Sequence, residues 1–397
     1  MRWIRQVLSV TLFSLASIRQ RLASSLVTVV GIAGVVMVMV GVLSVASGFQ
    51  RTLQTSGDDS SVVVMRAGSD SEMTSGIGLD DSRLISDAPG IARSADGRPL
   101  VSSELYVVLD LPRHGSDTPA NVPLRGVDPE MAYAVRGNVE IIEGRAFESG
   151  RNEVIAGRGA AAAFAGLQVG ESIKVGESQW EVVGIFAAEG NVVESEIWCD
   201  ARVLQPAYRR GSSFQSVYAR LESPDDFTEF KDTLTSNPQL DVDVETTSDY
   251  FSGQSAVFSA FISFVGILIG GLMGIGAVFG AVNTLYTAVA SRAREIATLR
   301  ALGFGSSPVV ISVMTEAMAL ATAGGTLGAV LAYLLFNGYQ TATINFQTFS
   351  QIAFAFAVTP TLMVLGLVYA LVMGFVGGLL PAIRAARMPV ASALREL

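Results

Sequence analysis

The stretch from Ser291 to Gly305 carries Arg292, Arg294, Glu295, Ile296, Leu299, Arg300, Leu302 and Gly303, with Ile296, Leu299 and Leu302 recurring at three-residue steps. That spacing predicts a short amphipathic helix stopped by Gly303 and Gly305. Its chemistry is recognition: an apolar stripe edged by guanidinium groups can rest on a membrane surface or dock in a groove of a partner. Glu316 follows, about two turns past Pro308, inside an otherwise apolar run. An ionisable group there is costly enough to mark either fixed helix packing or mechanism, with Arg300 or an arginine of another segment as its partner.

Other chemistry is short of parts. The single histidine, His114, lies in the polar, loop-like run Leu111 to Asp117 and reads as a solvated side chain. The single cysteine, Cys199, can form no internal disulfide and reads as a small core residue. Only two lysines occur, Lys174 and Lys231, both in the middle segment, so no lysine stands where a nucleotide-binding loop on the cytoplasmic side requires one. The acidic residues lack metal-ligand spacing, and no metal or cofactor is expected in this chain. A net charge of −9 with a pI near 4.8 excludes the basic face of a nucleic-acid binder.

The elements that position these residues follow from composition. Over 397 residues the mean hydropathy is +0.45, half the side chains are hydrophobic and 16% are charged, which places the chain in a membrane. Residues 51–254 hold 17 of the 27 Lys and Arg and 33 of the 36 Asp and Glu. The remaining arginines form three clusters: Arg2 to Arg21, Arg292 to Arg300, and Arg384 to Arg395. Between them lie apolar runs of the roughly 20 residues or more that span a bilayer. The predicted order is an interfacial amphipathic helix over 1–21, a first span over 22–50, an acidic domain over 51–254, and a second span with a projecting stalk over 255–290. A cytoplasmic coupling helix over 291–307, a third span over 308–336, a short external loop over 337–351, a fourth span over 352–383 and a tail over 384–397 complete it. Arginine clusters mark the cytoplasmic side, so both termini are expected inside and the acidic domain outside. Val45-Ala46-Ser47 resembles a leader cleavage site, but the apolar run before it exceeds the roughly 7–15 residues of a signal core and is read as an uncleaved anchor.

Within 51–254, strand-like runs at Val62–Met65, Leu105–Leu109, Val139–Ile142, Glu153–Ala156, Ser172–Val175, Trp180–Phe186 and Val217–Leu221 alternate with helix signals near 82–88, 160–165 and 224–234. The fold class expected is an α-helical membrane protein with four transmembrane helices and an extracytoplasmic α+β domain inserted between the first and second. Gly266, Gly270 and Gly274, four residues apart, suit close helix packing.

At Arg294-Glu295-Ile296, through Leu299-Arg300-Ala301-Leu302-Gly303 to Glu316-Ala317, the chain resembles the FtsX-like/MacB-like permease family of ABC transporters. The run Pro381 to Arg395 resembles that family's closing pattern. Glu143-Gly144-Arg145-Ala146-Phe147, Asn152 to Ile155, Val169-Gly170-Glu171 and Trp180 to Ile185 resemble its periplasmic core domain. The resemblance implies a bacterial inner-membrane permease working as a homodimer or with a related permease. It also implies a cytoplasmic ABC ATPase subunit that grips the 291–307 helix and binds the ATP and Mg, with an adaptor as a further partner. The ATPase domain of the fused exporters is not found in this chain, so a partner is expected to supply it and the chain itself is not expected to be an enzyme. Export by mechanotransmission to the external domain is the favoured reading. A non-transporting mechanotransmitter acting on an extracytoplasmic enzyme, or a lipoprotein-extracting permease, is the alternative.

Overall fold

The computed structural model describes residues 6–7, 11, 22–115, 119–302, 304–345 and 350–389. Most of the surface helix expected over 1–21, Gly303, and the tail beyond 389 lie outside the described residues. The principal helices are α1 (Leu22–Gln54), α2 (Thr247–Ser291), α3 (Ala293–Ala301), α4 (Ser306–Phe336) and α5 (Pro360–Arg387). Of the described helices, α1, α2, α4 and α5 are long and apolar enough to cross a membrane. The chain divides into two compact units: a membrane unit of 1–47, 261–339 and 356–397, and an α/β unit of 48–260 and 340–355.

The membrane unit is held by small residues, because lipid removes the hydrophobic drive between helices and leaves close van der Waals packing. Ile32, Val36, Val40, Ala321, Ala329, Ala370 and Met373 form its core. Gly324 and Gly328 of α4 face α1 so closely that a Cβ on Gly328 would sit 2.9 Å from Val36 Cβ and 2.5 Å from the Ala33 carbonyl. Gly328→Leu is therefore expected to cost about 1–3 kcal/mol by overpacking, read as a lower melting midpoint in detergent. Gly271→Leu, at a position where a Cβ meets nothing, is the control and leaves the midpoint unchanged.

Two elements differ from the sequence reading. Helix α2 is nine residues longer than the expected 255–290 span, chiefly because it begins at Thr247 directly after the last strand of the α/β unit. Its 45 residues amount to about 67 Å, more than twice the bilayer core. Where a short loop was expected over 337–351 there is a hairpin of two strands, Gln340–Ile344 and Gln351–Ala355, whose β-branched alternation suits a half-buried ladder. The fourth membrane helix accordingly starts later, at Pro360, where the Thr359 hydroxyl accepts from the Leu362 amide at 3.3 Å.

The α/β unit contains the strands β1 (Ser61–Arg66), β2 (Val101–Pro112), β3 (Pro119–Val127), β4 (Glu140–Gly144), β5 (Glu153–Gly157), β6 (Ser172–Val175), β7 (Ser178–Ala187), β8 (Ile197–Asp200), β9 (Ser216–Arg220) and β10 (Val242–Thr246). The hairpin strands follow as β11 and β12. One sheet runs β10-β1-β9-β2-β3-β8-β5-β7-β4, with β6 beside β7. All seven strand-like runs form strands; β3, β8 and β10 were not foreseen. Pro119 and Pro123 hide β3, yet both lie where β3 pairs only with β2, before its parallel ladder to β8 begins at Leu124. Two apolar clusters lie on this sheet, one on β2, β3 and β5 to β8 around Trp180, the other on β1, β9 and β10 around Phe230.

Candidate functional site

Helix α3 sits between α2 and α4, with Arg292 as its N-cap residue. Its side chains divide in a way the three-residue spacing did not foresee. Ile296 is buried with Val289, Val309, Val313, Ala382 and Ala385, so it anchors the helix within its own unit. Leu299 is half-buried, whereas Leu302 is 73% exposed. The outward face is formed by Arg294, Glu295, Thr298, Ala301 and Leu302, mixed in polarity where a continuous apolar stripe was expected. Arg292 bonds Glu295 at 3.3 Å, and its Nη1 donates to Glu316 Oε2 at 3.2 Å. Arg300 turns away from Glu316 and donates to the Met388 carbonyl at 2.6 Å. The arginine opposite Glu316 is thus Arg292, not Arg300. Gly266 and Gly270 lie against Leu43 and Met39 of α1, and Gly274 against Tyr369 of α5, whose hydroxyl donates to the Gly270 carbonyl at 2.6 Å.

A second constellation, in the α/β unit, escaped the sequence reading. Alternation sends Leu105, Leu124, Val217 and Ala219 into the apolar clusters and Glu104, Tyr106, Arg125, Ser216 and Tyr218 to the opposite face. Sequence logic reads that face as solvated, yet it is buried: Glu104 is 0%, Arg125 3%, Glu72 2% and Glu196 4% exposed. All five N–H groups of Arg125 are engaged, two with Glu196 at 2.8 Å, two with Glu72 at 2.7 and 2.9 Å, and one with Glu104 at 2.9 Å. Arg136 also pairs with Glu104, and stacks over the Tyr218 ring at 3.4 Å. Ser216 donates to Glu72 at 2.6 Å and the Trp198 indole N–H to Glu196 at 2.8 Å. Tyr106 meets Ser350 at 3.0 Å, Asn345 donates to Gln254 at 2.9 Å, and the Ala353 amide donates to the Ser195 hydroxyl at 2.8 Å. The first turns of α2 and the β11–β12 hairpin thus cover the ionic face. A cavity of about 20 Å³, room for one water, lies among Glu72, Arg125, Glu196, Gln254 and Ser350.

Burial pushes the Glu72 carboxyl upward, and the charge and hydrogen bonds of Arg125, helped by Arg136 and Ser216, more than reverse this and hold it at about 2 against 4.5. A carboxylate whose folded value is depressed adds stability that is complete above pH 4.5 and is lost as pH falls toward 2. On the order of 3 kcal/mol is at stake, so the urea midpoint of the purified chain should fall over that window, and fall less in Glu72→Gln.

The remaining reactive types are placed structurally. His114 is exposed, with Nε2 at 3.2 Å from the Ala161 carbonyl. Cys199 is buried on β8, its thiol pushed up by burial and then by Asp200. Among the described residues no group of His, Cys, Asp and Glu could hold a metal ion. Arg145, within one of the motifs above, forks onto Glu153 at 2.7 and 2.8 Å, and Gly144 before it takes φ +73°, which favours glycine.

Comparison with known proteins bears on both units. Residues 25–237 match the family model for a MacB-like periplasmic core domain, and residues 267–390 that for an FtsX-like permease C-terminal domain. The macrolide export ATP-binding/permease protein MacB of Shewanella oneidensis is 24% identical over 385 residues, covering 85% of this chain and 56% of that protein. The pyoverdine export ATP-binding/permease protein PvdT of Pseudomonas entomophila is 28% identical over 287 residues, covering 65% of this chain and 40% of that one. The chain therefore spans about half the length of these curated relatives. The crystal structure of the periplasmic region of MacB from Actinobacillus actinomycetemcomitans aligns with a TM-score of 0.38 at 12% identity, over 51% of this chain and 94% of that one.

Proposed function

The chain belongs to the FtsX-like/MacB-like family of ABC transporter permeases, and from that membership we propose that it is the permease subunit of an exporter driven by a separate cytoplasmic ATPase. That partner binds ATP and Mg and grips α3. Two permease copies, or this chain and a related one, work together in the inner membrane of a bacterial cell, with both termini cytoplasmic and the α/β unit outside. Movement at α3 is passed along α2, which runs without a break from β10 to Ser291, and the α/β unit acts on cargo or on an adaptor.

The observation carrying this reading is α3 itself: a nine-residue helix between two membrane helices, anchored by buried Ile296 while Glu295, Thr298 and Leu302 face outward. Leu302, 73% exposed at the end of the helix, adds apolar surface to that mixed face. The test is a mild-detergent pull-down of the tagged chain from its native cell. Co-purification of a soluble ATPase supports the reading, and ATP hydrolysis stimulated by a transported compound supports export. Recovery of the chain alone across several detergents overturns the reading.

A further inference from the structure

The two ends of α3 are tied to different membrane helices. At its start, Arg292 is 12% exposed and bonded to Glu316, 7% exposed, about 15 Å along α4. At its finish, Arg300 bonds the carbonyl of Met388, the residue that caps α5. Between these points Ile296 shares a buried cluster with Val309 and Val313 of α4 and Ala382 and Ala385 of α5. A neighbouring contact closes the same end of the unit, with the Arg384 guanidinium 5.3 Å from the centre of the Tyr286 ring of α2. Apolar contacts are individually small, about 0.1–0.2 kcal/mol per atom pair, and none of them is directed at a particular partner atom. A charge-assisted bond to a buried carboxylate fixes both distance and orientation.

We propose that Glu316 is the positioning residue of the docking helix: through Arg292 it locks the start of α3 to α4, while Arg300 ties its finish to α5, so a displacement of α3 carries α4 and α5 with it. The coupling part of this inference rests on the reading of α3 as the ATPase-docking helix; the lock itself does not. Glu316 in this apolar helix thus serves registry between the loop and the span, and no proton or ion movement through it is invoked.

Hydrogen exchange followed by mass spectrometry on the full chain in nanodiscs tests the lock. In Glu316→Gln the amides of 293–301 should exchange at least tenfold faster than in the unaltered chain, with the amides of β2 and β9 unchanged as the control of folding. The charge-exchanged pair, Arg292→Glu with Glu316→Arg, should return them toward the original rate, and Arg292→Lys alone, which keeps a charge facing Glu316, should speed exchange less than Glu316→Gln does. Unchanged exchange over 293–301 in Glu316→Gln, or no recovery in the exchanged pair, overturns the proposal. With the co-purified ATPase present, a non-hydrolysable ATP analogue should alter exchange in both α3 and α4 of the unaltered chain, but in α3 alone of Glu316→Gln. A variant that merely loosens packing would leave the two helices responding together, and that result also overturns the coupling. If no ATPase is recovered with the unaltered chain, the docking reading falls while the exchange data on the permease alone still decide the lock.

Discussion

Arg125→Ala is expected to destabilise the α/β unit by about 3–5 kcal/mol, the range for removing one partner from a buried ionic group, enough to unfold it at physiological temperature or leave it protease-sensitive. The reason lies in the charge balance. Arg125 and Arg136 face Glu72, Glu104 and Glu196, so two positive charges hold three negative ones where little or no solvent reaches. Without Arg125, only Arg136 remains, bonded to Glu104, and Glu72 and Glu196 are left buried with Ser216 and Trp198 as their nearest side-chain donors. Desolvated carboxylates in that state either protonate or open the domain to water. Arg125→Lys should recover little, because a point charge cannot replace a five-donor fork. Replacing Arg125 together with the two carboxylates that Arg136 does not bond, Arg125→Met with Glu72→Met and Glu196→Leu, leaves the Arg136–Glu104 pair balanced and should restore much of the loss. Arg209→Ala, where the ion pair with Glu177 is 88% and 92% exposed, should stay within about 0.5 kcal/mol. Thermal unfolding with limited proteolysis reads all four. An Arg125→Ala chain that melts like the unaltered one would mean that water reaches the network.

What was legible in the sequence, and what was not, follows from the range of the forces involved. Membrane helices announce themselves because burial in lipid demands about 20 apolar residues in sequence; α1 and α4 needed no tertiary information. The hairpin of β11 and β12 was hidden for the opposite reason, since its polar run looks like a solvated loop until Tyr106, Ser195 and Gln254, distant in sequence, pair with Ser350, the Ala353 amide and Asn345. The ionic network was hidden in the same way. Glu72, Glu104, Arg125, Arg136 and Glu196 stand far apart in the chain, and in an acidic segment each looks like surface. The one available signal was the strand pattern itself: Ser102, Glu104 and Tyr106 share a face of β2 with Tyr218 and Ser216 of β9 across the ladder, a combination of aromatic and charged side chains suited to a covered face. For α3 the periodicity correctly indicated a helix, but a three-residue step does not say which residues of an apolar set look inward. Packing against α4 and α5 decides that, by taking Ile296 and leaving Leu302.

That division sets the second large effect. Substituting both Glu295→Ala and Leu302→Arg should reduce recovery of the ATPase with the tagged permease at least tenfold, which corresponds to about 1.4 kcal/mol or more of binding free energy, with membrane insertion and melting midpoint unchanged. Both residues lie on the outward face, Leu302 73% exposed and the Glu295 side chain 54% exposed. An apolar side chain buried on docking carries more energy than the polar contacts around it, and a guanidinium in its place must be desolvated without a partner. Ile296→Ala separates this from a packing effect. It leaves the outward face chemically unchanged but opens a hole beside Val309 and Ala382, so it should lower the melting midpoint, at about 2–5 kcal/mol for such a truncation, before it lowers recovery at low temperature. If instead Ile296→Ala abolishes ATPase recovery at an unchanged midpoint while Glu295→Ala with Leu302→Arg does not, then the partner meets α3 from the side now packed against α4 and α5, and the helix must leave that position to be gripped.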